Sequence, residues 1–139
     1  MKVIVCVDEK NGMLFNNRRQ SRDIKVIERI LEITKDSKLW ITNFSKELFV
    51  DKNVNIADDF LEKIGEEDYI FLENVDISKI QNNITELVIF NWNRHYPADV
   101  FLEISLENFK IISTKEFEGN SHEKITEIIY RSEMYNENI

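Results

Sequence analysis

The segment Arg18-Arg19-Gln20-Ser21-Arg22-Asp23 is the part of this chain best equipped to do chemistry. It places three guanidinium groups within five residues of a chain whose net charge is −8. A guanidinium presents planar, paired donors that match a phosphate or a carboxylate. A helix beginning just after the segment would add free N–H groups and the positive end of its dipole. Arg18, Arg19, Gln20, Ser21, Arg22 and Asp23 are therefore expected to bind an anionic ligand; the competing reading is a solvated basic loop paired with acidic neighbours. Asn91-Trp92-Asn93-Arg94-His95-Tyr96 is the second candidate. Trp92, Arg94 and His95 there have the types needed to stack on a heterocycle and hydrogen-bond its edge. The plainer reading is that Trp92 and Tyr96 anchor a strand end in the core, as Trp40 would. His122 reads as a surface residue, and Ser121-His122-Glu123, adjacent in sequence, cannot be assumed to converge as a triad.

Composition excludes several classes of function. Two histidines far apart and one cysteine leave no metal-ligand spacing, so no metal is expected. No Gly-x4-Gly-Lys loop is present. The net charge of −8 repels nucleic acid and anionic membrane at long range. No apolar run approaches the roughly 20 residues of a membrane helix, and the short N-terminal apolar run lacks a signal-peptide cleavage site. Cys6, alone and inside an apolar stretch, reads as a small buried hydrophobe, with the cytoplasm as the default compartment.

The elements that must position these residues follow from pattern. Lys2 to Val7 is rich in Val and Ile and predicts a buried strand. A turn and loop run from Asp8 to Asn17, with Gly12 free to take a positive φ. Ser21 is the expected N-cap of a helix with Asp23 in its first turn, and Ile24, Ile27, Ile30, Leu31 and Thr34 form one apolar stripe. Lys38 to Thr42 predicts a strand, Ser45 to Phe49 a short helix, and Val54 to Ile56 a brief strand. Ala57 to Ile64 predicts a helix, with Gly65 at its left-handed C-terminal position. Asp68 to Leu72 and Thr85 to Trp92 predict strands, and Val100 to Ile104 a short edge pairing. Phe109 to Ser113 and Lys124 to Arg131 predict a closing hairpin. Early strands alternate with helices and late strands are consecutive. The expected fold is α/β: a mixed sheet, mostly parallel with a C-terminal antiparallel hairpin, and helices on both faces. A single domain is expected over residues 1–132, followed by a frayed tail over residues 133–139.

This order of elements resembles dihydrofolate reductase. Val3 to Met13 is similar to that family's first strand and glycine-containing mobile loop. Tyr96-Pro97-Ala98-Asp99-Val100-Phe101-Leu102-Glu103-Ile104 is similar to its Gly-Asp-Thr-x-Phe-Pro segment, with Asp99 and Phe101 as the matching residues. The resemblance implies that Asp23 stands near the carboxylate that binds the pterin ring in a reductase. It also implies where cofactor motifs are missing. The family's Gly-Gly pair after its fifth strand corresponds to Glu73-Asn74-Val75-Asp76, where two carboxylates would repel a pyrophosphate. The family's Gly-Arg-x-Thr turn corresponds to Thr42-Asn43-Phe44-Ser45, and its Pro-Trp to Arg18-Arg19.

Three functions follow from these observations. The first is a non-catalytic binding protein, a pseudoenzyme without a cofactor, whose arginine-rich loop holds an anionic small molecule or an acidic partner. The second is a divergent NADPH-dependent reductase of a pterin-like substrate that uses Asp23. The third is a protein–protein interaction module with Asp58-Asp59, Glu62, Glu66-Glu67-Asp68 and Glu73 as an acidic face.

Overall fold

The computed structural model describes residues 1–134. The chain forms β1 (Lys2–Val7), β2 (Gly12–Phe15), β3 (Arg18–Arg19), α1 (Ile24–Ile33), β4 (Leu39–Ile41) and β5 (Asn55–Ile56). It continues with β6 (Tyr69–Phe71), β7 (Glu86–Asn91), β8 (Val100–Phe101), β9 (Phe109–Phe117) and β10 (Ile125–Ser132). Seven strands make the main sheet in the order β5-β4-β6-β1-β7-β10-β9. The first five are parallel, whereas β10 runs antiparallel to both β7 and β9. The expected mixed sheet with its terminal hairpin is thus the observed one, and the hairpin is longer than its apolar pattern suggested.

Two apolar layers sandwich this sheet. Alternation along β1 sends Val3, Val5 and Val7 to one face and Ile4 to the other. The Ile4 face is covered by α1 through Val26 and Ile30, and by Phe49 of the 3₁₀ segment Asn43–Phe49. The opposite face is covered by short 3₁₀ turns carrying Phe60, Ile77 and Ile80, not by α-helix. The expected stripe of α1 faces the sheet through Ile27, Ile30, Leu31 and Thr34; Val26 joins it, and Ile24 is 58% exposed.

Four local expectations are corrected. Ala57 to Ile64 is not an α-helix and holds only the 3₁₀ turn Phe60–Glu62. At its start the Ala57 N–H donates to Ile41 O at 3.0 Å and the Asp58 carboxylate accepts from the Asn43 N–H at 2.9 Å. Gly65 does not take a positive φ. Gly12 does not either; the left-handed position is filled by Asn11, with φ 65°. Gly12 is needed for space, since a Cβ there would lie 2.7 Å from Ala98 Cβ, Asp8 Oδ2 and Gln20 Nε2. The N-cap of α1 is Asp23 rather than Ser21: Asp23 has φ −153° and ψ 126°, and its carboxylate accepts from the Lys25 N–H at 2.9 Å.

The expected loop from Asp8 to Asn17, with Arg18 and Arg19 after it, is partly a second sheet of order β3-β2-β8. It packs the segment Arg18 to Asp23 against the end of the main sheet, and it contains the expected edge pairing at Val100. Residues 135–139 of the expected frayed tail lie outside the described residues; Glu133 is held by its N–H donating to Asn108 O at 2.7 Å.

Candidate functional site

The C-terminal ends of parallel strands β1, β6 and β7 open toward the N-terminus of α1. In open α/β sheets, this is where ligands bind. Each strand delivers one polar or aromatic residue there: Asp8 after β1, Glu73 after β6 and Trp92 after β7.

Asp8 is buried and organises the turn. Burial alone would raise its pKa. The N–H groups of Gly12 and Lys10, both at 2.8 Å, and Gln20 Nε2 at 3.0 Å hold it below the usual carboxylate value.

Arg19 does not stand open to an anion. Its Nε donates to Glu73 Oε2 at 2.8 Å and its Nη2 to Glu73 Oε1 at 3.1 Å. Nη2 also reaches Phe44 O at 3.1 Å, and Nη1 contacts Glu47. Ser45 Oγ donates to Glu73 Oε1 at 2.8 Å. Glu73 is therefore a neutralised, buried partner, which corrects its expected roles as a repulsive group and as part of an acidic face. Its former companions on that face are also engaged: Asp58 with Asn43, Asp68 with Trp40 Nε1, and Glu67 with Lys2.

Arg19 and Arg22 border the same cleft as Gln20, Ser21, Asp23 and Trp92, whereas Arg18 stands outside it. In the short β3, successive side chains point to opposite sides. Arg18 is exposed in a groove with Phe15, Tyr96 and Pro97, whereas Arg22 is exposed at the other side, by Leu48 and Lys52. Neither makes an ion pair among the described residues.

His122 is the largest departure from expectation. It is 3% exposed, with its ring stacked on Trp92 at a centroid distance of 4.6 Å. Its Nδ1 lies 2.8 Å from Asp23 Oδ2 and its Nε2 lies 2.9 Å from Ser21 Oγ. Tyr96 Oη is a further 3.1 Å neighbour of Nε2. The loop between β9 and β10 brings it in: the Asn120 and Ser121 N–H groups each donate to Asp23 at 2.9 Å. Burial would raise the pKa of Asp23, but the Asn120 N–H, His122 and the Ser121 and Lys25 N–H groups together push it far below the ordinary range. Gly119 permits this approach, since a Cβ there would lie 2.6 Å from Asp23 Oδ2.

Ser21 and Asp23, two of the expected site residues, thus come together with Trp92. Gln20 adjoins them through Asp8. Arg94 and His95 are exposed and take no part in this cluster. Sequence reasoning missed His122 and Tyr96 as members. The only local sign was a glycine beside small polar residues before β10, which permits a loop to approach closely but does not say what it approaches.

The loop fills the space. The cleft left between Met13, Ser21, Val26, Ile27, Leu48 and Trp92 has a volume of about 20 Å³, room for about one water. A larger groove, about 560 Å³, lies beside Leu14, Phe44, Val75, Asp76, Asp99 and Phe101. It borders Phe44 and the segment Asn74 to Asp76, where the resemblance leads one to expect the reductase cofactor turns. The cofactor does not fit the residues there. The groove is lined by the carboxylates of Asp76, Asp99 and Glu103 and by no cationic side chain, which opposes a pyrophosphate. Among the described residues no cluster of His, Cys, Asp and Glu could hold a metal, and no helix is long and apolar enough to cross a membrane.

No protein-family model and no curated protein matches this sequence. The fold is nonetheless shared with a solved structure of dihydrofolate reductase from Enterococcus faecalis, complexed with NADP(H) and RAB-propyl. The superposition has a TM-score of 0.68 at 10% identity and covers 94% of this chain and 95% of the reductase. The chain therefore has a dihydrofolate-reductase-like fold.

Proposed function

We propose that this chain is a pseudoenzyme with respect to reduction: a cofactor-independent binding protein on a dihydrofolate-reductase-like scaffold. The observation that carries this reading is the state of Asp23. A carboxylate that binds a pterin must have oxygen lone pairs to offer, and Asp23 already accepts from the Lys25, Asn120 and Ser121 N–H groups and pairs with His122. A pterin would have to expel the loop that holds His122, because about 20 Å³ of cleft cannot admit a bicyclic ring. The acid-lined groove supports the same reading for the cofactor. Fold alone does not decide function, and a scaffold relieved of one ligand is free to serve another.

The ligand we infer is an anion, a phosphorylated or carboxylated small molecule or an acidic segment of a partner. It is taken at one of two exposed guanidinium groups, Arg18 in the groove by Phe15 and Pro97 or Arg22 beside Leu48, neither of which makes an ion pair among the described residues. Arg19 supports the rim from beneath through Glu73.

The test is a thermal-shift screen with NADPH, dihydrofolate, nucleotides and phosphorylated metabolites. A ligand that binds the native state raises its apparent stability, by roughly 2.7 kcal/mol at 100 times its dissociation constant. The expected result is no shift with NADPH or dihydrofolate, and a shift with another anion that is lost in Arg18→Ala or Arg22→Ala. Stabilisation by NADPH, or its oxidation in the presence of dihydrofolate, would restore the reductase.

A further inference from the structure

We propose that Ser21 is a nucleophile, served by His122 as general base and positioned through Asp23, and that it hydrolyses small acyl esters at the cleft. Such a relay needs a hydroxyl, an imidazole and a carboxylate joined by hydrogen bonds, with the ring held in one tautomer. All three conditions are met. Asp23 Oδ2 to His122 Nδ1 is 2.8 Å, and His122 Nε2 to Ser21 Oγ is 2.9 Å. The Asp23 carboxylate only accepts, so Nδ1 carries the ring proton and Nε2 presents its lone pair to the hydroxyl. Stacking on Trp92 fixes the plane of the ring. Tyr96 Oη lies 3.1 Å from Nε2 and donates to Ser21 Oγ at 3.4 Å, which leaves the serine proton directed at Nε2.

The gradient of burial separates this arrangement from a purely structural network. Asp23 and His122 are 4% and 3% exposed, while Ser21 is half-buried and lines the cleft. The polar chain thus runs from an enclosed anion to an accessible hydroxyl. The backbone N–H of Arg22, the residue after the serine, makes no hydrogen bond among the described residues and is available to an oxyanion.

In the first step Ser21 Oγ bonds to the ester carbonyl carbon and its proton passes to His122 Nε2. The carbon–alkoxide bond then breaks, and the alcohol leaves with that proton. Water attacks the acyl-serine, gives one proton to Nε2, and the acid departs as Oγ regains it. The sum is ester plus water to acid plus alcohol. Because the cleft itself has room for about one water, the ester carbonyl must reach Ser21 Oγ from the solvent side.

The experiment uses the whole protein with a fluorophosphonate, which loses fluoride on attack by an activated serine, followed by peptide mass spectrometry. One phosphonyl group on Ser21 is expected. Turnover of 4-nitrophenyl acetate should fall by about 10²–10⁴-fold in Ser21→Ala, the typical worth of base-assisted attack, with circular dichroism unchanged. Lack of an adduct on Ser21, an adduct elsewhere only, or unchanged turnover in Ser21→Ala would overturn the proposal. None of these readouts depends on NADPH or on the rim arginines, so it stands or falls apart from the binding function above.

Discussion

Replacing Arg19 by alanine separates a structural arginine from a solvated one. Arg19 and Glu73 have side chains only 15% and 8% exposed, and they meet in a two-pronged contact. Removing one partner of a buried pair costs about 3–5 kcal/mol, because the other charge stays enclosed. Glu73 keeps one hydrogen bond from Ser45 after the change, and the rim lets some water in, which favours the lower end, about 3 kcal/mol. Unfolding entropy of about 2.1 cal/mol/K per residue, over 139 residues, comes to about 0.3 kcal/mol/K. The melting temperature should therefore fall by about 10 °C. Arg18→Ala, at an exposed position without an ion pair, should stay within about 0.5 kcal/mol of the parent. The assay is urea unfolding followed by tryptophan fluorescence, with thermal melts in parallel. Replacing both partners, Arg19→Met with Glu73→Leu, should recover most of the loss, because no buried charge is left alone. A loss below about 1 kcal/mol in Arg19→Ala would refute the reasoning and return Arg19 to the solvated basic loop.

Three further outcomes are expected. Gly119→Ala places a Cβ 2.6 Å from Asp23 Oδ2 and 2.8 Å from Ile125 Cδ1; it should cost about 1–3 kcal/mol by overpacking, read as a lower urea midpoint. Asp8 and Asp23 have pKa values below those of the unfolded chain, so their stabilisation is fully present above the unfolded carboxylate value of about 3.9 and is lost as pH falls through the folded values. The urea midpoint should thus start to drop below about pH 5 and go on dropping below about pH 3, less steeply in Asp23→Asn; an unchanged slope would contradict the assignment. Ile30→Ala removes a fully buried side chain between α1 and the sheet and should cost about 2–5 kcal/mol, measured by chemical denaturation.

Much of the fold was legible in the sequence because it rests on local pattern. The Val and Ile run of β1, the apolar run of β7 and the consecutive final strands each show in a window of a few residues, and together they predict a mixed sheet ending in a hairpin. The stripe of α1 was legible too: Ile27, Ile30, Leu31 and Thr34 face the sheet, and only Ile24, in the first turn beside the Asp23 cap, does not. The segment Ala57 to Ile64, expected as a helix, forms only the 3₁₀ turn Phe60–Glu62, with Phe60 packed against the sheet.

The candidate site was legible only as a list of residue types. From the sequence alone it follows that Ser21, Asp23 and three arginines lie together next to a helix start. Which of those charges are spent was decided by tertiary structure. Arg19 finds Glu73 across 54 positions, and His122 finds Asp23 across 99. No short window contains both partners of either contact, and like residues within one segment look alike until packing buries one of them. Arg18 and Arg19 differ only in the side of β3 they face. That single alternation leaves Arg18 exposed, with no ion pair among the described residues, and makes Arg19 a fixed part of the fold.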